Sequence, residues 1–160
     1  MDYIFSPWRY RYVSGRPRED DCVLCAKLRE QDDARNLVLH RARHNAILLN
    51  LFPYTTGHLM ILPYEHAPRL GDLAPEARAE MMELAARAEQ ALQSEYRPDG
   101  LNLGLNLGAA AGAGIAGHLH LHVLPRWVAD ANFMTVVGET RVLPEDLART
   151  YERLRPYFAA

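Results

Sequence analysis

The stretch Gly117-His118-Leu119-His120-Leu121-His122-Val123-Leu124-Pro125-Arg126 decides how this chain folds. Side chains on a strand alternate faces, so His118, His120 and His122 line one face, each ~6.5–7 Å from the next. Leu119, Leu121 and Val123 line the other face and pack on a core. On a helix, His120 would point about 180° away from the mean of the other two. The alternation therefore selects a strand over His118–Leu124, ended by Pro125. Three imidazoles in a row either bind metal or handle an anionic substrate, with one acting as nucleophile or base.

Short apolar runs bounded by turn residues surround this strand. Leu37–His40 and Ala46–Phe52 read as strands, Pro53–Gly57 as a turn, and His58–Leu62 as a third strand. Pro75 opens the most periodic helix, with Met81, Leu84, Ala85, Ala88 and Leu92 on one face. Pro98-Asp99-Gly100 stops it. Leu101–Leu107 alternates as a half-buried strand, and Gly108–Gly117 is a run of Gly and Ala with one Ile. A short helix is expected from Asp21 to Glu30. A last helix is expected within 144–160, with Leu147, Tyr151 and Leu154 on one face. The pattern predicts an α+β fold: one antiparallel sheet of about five strands, one long helix and a C-terminal helix. Residues 1–160 read as a single domain, with an aromatic, charged arm over 1–20.

Composition narrows the function. Lys plus Arg is 18 against 20 Asp plus Glu, a net charge of −2, so there is no basic face for duplex nucleic acid. No apolar run approaches the ~18 residues of a membrane span. The N-terminus lacks the pattern of a secretory signal, which makes a reducing cytoplasm the expected compartment.

Cys22-Val23-Leu24-Cys25 is an isolated CxxC with three readings. A redox dithiol is disfavoured by Asp20 and Asp21, which oppose thiolate formation. Two buried structural cysteines are the plain alternative. A structural zinc needs four ligands, so two histidines would have to complete it.

The His-φ-His-φ-His-φ-φ run followed by Pro-Arg resembles the signature of the histidine triad family of nucleotide hydrolases and transferases. Asn50, the Thr56-Gly57-His58 turn, Leu62-Pro63 with His66, and Leu105–Gly108 resemble its other site elements. Pro7-Trp8-Arg9, Pro125-Arg126-Trp127 and Asp130–Phe133 resemble a bacterial branch associated with diadenosine tetraphosphate phosphorylase and hydrolase activity. The resemblance covers roughly residues 5 to 150.

It implies that His120 attacks the α-phosphorus and carries a covalent nucleotide. His122 would contact the α-phosphate oxygens, and His58 would be the fourth active-site histidine. Asn50 would bind the ribose and Asn106 the phosphates, with backbone amides at Gly108 and Gly114 approaching phosphate. It also implies a structural Zn2+ on Cys22, Cys25, His66 and His118, no organic cofactor, and a homodimer joined through sheet and helix. Many family members carry a Gln about four residues before the first histidine; here that place is Gly114. The amide that would hold the leaving phosphates is missing, which suits inorganic phosphate as the second acceptor.

Two other functions fit the residues. One is a metal-dependent hydrolase or lyase with His118, His120 and His122 as catalytic ligands; the other is a nucleotide-binding module without turnover. Other nucleoside phosphates or phosphoramidates are alternative substrates. Arg126, Trp127, Trp8 and Arg9 are candidates to stack on or pair with nucleotide or a partner subunit, and Tyr10 and Tyr12 to pack. Leu48 or Ile47 is the expected wall of a base pocket. His40 and His44 are expected to be surface residues.

Overall fold

The computed structural model describes residues 22–132, 135, 140 and 142–159. The N-terminal arm, with Trp8, Arg9, Tyr10 and Tyr12, lies outside the described residues. In chain order the elements are α1 (Val23–Arg29), α2 (Asp33–Asn36), β1 (Val38–Arg41), β2 (Asn45–Leu49) and β3 (Leu59–Pro63). Then come α3 (Pro75–Tyr96), β4 (Gly100–Leu105), β5 (Leu121–Arg126) and α4 (Leu147–Leu154), with short 3-10 turns between. The five strands form one antiparallel sheet in the order β1-β2-β3-β5-β4, the α+β fold the pattern predicts.

Alternation along the strands makes two layers. Ile47, Leu49, Leu59, Ile61, Leu121 and Val123 meet Met81, Leu84, Ala85, Ala88 and Leu92 of α3 in the larger core. Ala46, Leu48, Met60 and Leu62 point the other way and meet Cys22, Leu24 and Leu28 of the α1 segment. Both faces of β2 and β3 are thus covered, and every residue in them is buried. That double cover explains why these strands are continuous apolar runs.

Several element limits differ from the sequence expectation, for local reasons. β2 ends at Leu49 because the Asn50 side chain turns the chain. Leu51 and Phe52 are left exposed. β5 begins at Leu121 rather than His118, because the Leu119 N–H donates to the Ala67 carbonyl at 2.8 Å and not to a strand. Pro125 lies inside β5 rather than ending it. It pairs with Leu101 of β4, past the point where β3 stops pairing, so its missing N–H costs no ladder bond. Gly57 closes the turn before β3 at φ 78°; a Cβ there would stand 3.1 Å from Leu92 Cδ2 and 3.2 Å from the Tyr96 ring.

The tail returns to the core as expected. Asp146 accepts from the Arg149 N–H at 2.8 Å, and Tyr151, Leu154 and Phe158 are buried. His40, expected at the surface, is half-buried and binds this tail: its Nδ1–H donates to the Phe158 carbonyl at 3.1 Å. Burial and the nearby Arg87 push its imidazole below the ordinary value. Among the described residues no helix is long and apolar enough to cross a membrane.

Glu80 of α3 latches the β1–β2 turn. Its carboxylate accepts the N–H groups of Arg43, His44 and Asn45 at 3.0, 2.8 and 2.8 Å, and the Asn45 side-chain amide at 2.8 Å. Burial pushes the Glu80 carboxyl up, but donation from Asn45, His44 and Arg43 outweighs it and holds the carboxyl below its ordinary value. A carboxyl depressed in the fold stabilises fully above its unfolded pKa and loses that contribution as pH falls through the depressed value. Glu80→Ala is expected to cost about 2–3 kcal/mol at pH 7 in urea unfolding, a difference that shrinks as the pH falls through that value.

Candidate active site

The histidines of the decisive stretch divide between two sites on the α1 face of the sheet. His118 turns toward α1, whereas His120 and His122 line a cavity of about 520 Å3. Leu24, Leu48, Met60 and Ile115 of its lining pack into one apolar cluster, and Asn50, Tyr54, His120 and His122 gather around His58; Val23 and Asn106 also line it. Gly112 and Gly114 also line it, whereas Gly108 does not. Leu48 faces the cavity, and Ile47, one residue earlier, faces the α3 core instead, as alternation requires.

Hydrogen bonds assign the ring tautomers. His120 Nδ1 lies 2.8 Å from the His118 carbonyl, which can only accept, so Nδ1 carries the proton and Nε2 keeps its lone pair. Burial pushes the His120 imidazole below its ordinary value against the opposing effect of that bond, which favours the neutral ring at pH 7. The Tyr54 backbone N–H donates to His58 Nδ1 at 3.1 Å, so the neutral His58 ring carries its proton on Nε2. That Nε2–H donates to His122 Nδ1 at 2.8 Å, which leaves the His122 proton on Nε2. The result is one acceptor nitrogen on His120 beside one donor on His122, the rings 4.8 Å apart. The Tyr54 ring packs 4.7 Å from His58 and 5.9 Å from His122. Sequence reasoning assigned Tyr54 only to a turn.

Cys22, Cys25, His66 and His118 bring their ligand atoms within 4.8 Å of one another. His118 Nε2 lies 2.9 Å from the Pro63 carbonyl and donates to it, which frees Nδ1 toward Cys22 Sγ (3.5 Å) and Cys25 Sγ (3.3 Å). His66 Nδ1 lies 3.3 Å from Cys25 Sγ. Two thiols and two imidazoles, one already anchored by a carbonyl, are the donor chemistry of a closed tetrahedral zinc site. Gly117 leaves the room this requires: a Cβ there would stand 3.3 Å from His66 Nε2. Burial pushes the His118 imidazole down, and burial with the neighbouring Cys22 pushes the Cys25 thiol up. A bound cation reverses the latter by taking the thiolate.

Across Tyr54 lies a second cavity of about 480 Å3, lined in part by Thr56, Tyr96, Trp127 and Glu145. Trp127 is therefore away from His120, and Arg126 is held by both oxygens of Asp130 at 2.6 and 2.7 Å. Asn50 accepts the Phe52 N–H at 3.0 Å and sets its amide 3.3 Å from His58 Nδ1. Asn50→Ala is expected to lower stability by about 1 kcal/mol in urea unfolding, and Asn50→Asp, which keeps the acceptor, to lower it by less.

Comparison with known proteins agrees with this geometry. The chain is 37% identical over 166 residues to the AP-4-A phosphorylase of Mycobacterium tuberculosis, spanning 99% of this chain and 85% of that protein. It is 30% identical over 93 residues to the asymmetrical bis(5'-nucleosyl)-tetraphosphatase of Schizosaccharomyces pombe, spanning 58% and 50%. A crystal structure of a Zn-bound histidine triad family protein from Mycobacterium smegmatis matches with a TM-score of 0.67 and 27% identity, over 87% of this chain and 94% of that one. The HIT domain model matches residues 31–128, more than half of the chain. This chain belongs to the HIT domain family, the histidine triad enzymes that its histidine spacing already resembles.

Proposed function

We propose that the chain cleaves dinucleoside polyphosphates of the diadenosine tetraphosphate type through a nucleotidyl-His120, with phosphate or water as acceptor. The observation that carries this reading is the unprotonated Nε2 of His120, fixed by the 2.8 Å bond from Nδ1 to the His118 carbonyl, in a cavity of about 520 Å3. Nε2 attacks the α-phosphorus; an N–P bond forms and the P–O bond to the leaving polyphosphate breaks. The ring then carries positive charge, which the His118 carbonyl stabilises through Nδ1–H. His122 Nε2–H donates to the α-phosphate oxygens, held in that role by His58. Attack by phosphate or water breaks the N–P bond and returns the pair to Nε2. The apolar cluster takes the base, Asn50 the ribose, and Asn106 with the Gly112–Gly114 backbone the phosphates. Gly108, outside the cavity, is assigned only to shaping that loop.

Phosphate as acceptor is supported by the 37% identical phosphorylase and by Gly114, which offers no side chain where many family members have Gln. The three histidines do not act as one catalytic metal triad in this scheme, because His118 belongs with the cysteines. Cys22, Cys25, His66 and His118 would hold a structural Zn2+ that fixes α1 against the sheet and leaves no open position for chemistry. A homodimer is supported by the open edge of β4, where Leu103 is exposed, and by exposed Met82 on α3.

Incubation with diadenosine tetraphosphate and phosphate is expected to release ADP and ATP, and His120→Asn to abolish turnover at unchanged thermal midpoint. Failure of the wild type to cleave any dinucleoside polyphosphate, with or without phosphate, would overturn the reading. Metal analysis of freshly purified protein is expected to find about one zinc per chain. Gly117→Ala is expected to weaken zinc retention against a chelator; protein free of zinc at any stoichiometry refutes the metal assignment.

A further inference from the structure

Among the described residues that line the active-site cavity one is a lysine, Lys27, which stands one helical turn from Leu24 of the apolar cluster Leu24, Leu48, Met60 and Ile115. Lys27 follows Val23 by four residues and Leu24 by three, so it neighbours both on α1, and all three line the cavity. Lys27 is half-buried, and no hydrogen bond or ion pair holds its ammonium among the described residues. Of the other polar groups that line the cavity, Asn50, Tyr54, His120 and His122 gather around His58. A lysine in this position lays its methylenes along apolar surface and carries three donors at the tip.

Apolar walls discriminate poorly between flat bases of similar size. A polar group facing the base discriminates well, because the wrong base leaves it unpaired or meets it with a like group. Guanine presents N7 and O6 side by side, both acceptors. Adenine presents N7 beside the N6 amine, a donor. An ammonium therefore favours guanine at that edge and is opposed by the adenine amine.

We propose that Lys27 sets the base preference of the cavity, donating to N7 and O6 of guanine and favouring guanine over adenine in the nucleoside transferred to His120. This rests on the reading of the cavity as a nucleotide site; within that substrate class it ranks a guanine end above an adenine end, and diadenosine tetraphosphate is still cleaved.

Titration of the full-length, zinc-loaded chain with GMP and with AMP by calorimetry tests the inference without turnover. The wild type is expected to bind GMP tighter than AMP by on the order of tenfold, the discrimination of one well-placed donor pair. Lys27→Met is expected to bring the ratio close to one by weakening GMP while AMP is unchanged or slightly strengthened, and Lys27→Arg, which keeps the donors, to preserve the preference. A ratio unchanged in Lys27→Met overturns the proposal. So does an equal loss for both nucleotides that grows from GMP to GDP to GTP, which would assign the ammonium to phosphates. If the wild type binds neither nucleotide, the nucleotide reading falls and this inference with it. If it binds both and Lys27→Met changes nothing, only this inference falls.

Discussion

The carbonyl oxygen of His118 is the point on which the two sites turn. It accepts the Nδ1–H of His120, and the imidazole of the same residue faces Cys22 and Cys25. One residue therefore connects the cysteine and histidine cluster beside α1 to the ring whose Nε2 is left without a proton. The placement of that carbonyl depends in turn on one backbone bond outside the sheet and one side-chain bond to the end of β3. The Leu119 N–H reaches Ala67, and His118 Nε2 reaches Pro63. The segment from Pro63 to Ala67, which also supplies His66, thus holds the approach to β5 from one side. Alternation does the rest, sending Leu119 and Leu121 into the core and the histidines away from it.

Much of this was legible in the residues because alternation is a local rule with a global result. Three histidines at spacing two could share a face only on extended chain, and the apolar runs of β2 and β3 needed cover on both sides. The limits of the strands were not legible, because they depend on partners distant in sequence. His118–His120 lies before the strand and bonds to Ile115 and Ala67, and Pro125 is tolerated only because β3 no longer runs beside it. Tyr54 belongs to the same class. It was readable as a turn residue, but its place against His58 and His122 follows from how the turn folds back. Lys27 was one lysine in a short helix until α1 docked on the sheet, and His40 a strand-edge residue until the tail returned to cover it.

Electrostatics in the site are local. A chain of net charge −2 has no general attraction for anions. Burial pushes the His120 imidazole below its ordinary value and so favours the neutral ring, which suits the proposed nucleophile better than an attractor. In the proposed reaction the donors for phosphate are fixed dipoles: the Nε2–H of His122, set through His58 by the Tyr54 amide, and side-chain or backbone amides along 106–114. Such groups are oriented before substrate arrives and need little rearrangement as charge develops.

The unequal flanks of β5 bear on how the site opens. β3 pairs with β5 only from Leu59 to Ile61, whereas β4 runs beside it from Gly100 opposite Arg126 to Leu105 opposite Leu121. β4 is the less covered neighbour, its middle residues exposed and, among the described residues, no strand paired to its far edge. The ladder that steadies most of β5 is therefore the one nearest solvent. Amide exchange in such a sheet proceeds from the rim inward. Fraying of β4 would loosen Leu124–Arg126 first and leave His122, bridged to Met60, among the last parts of β5 to lose protection.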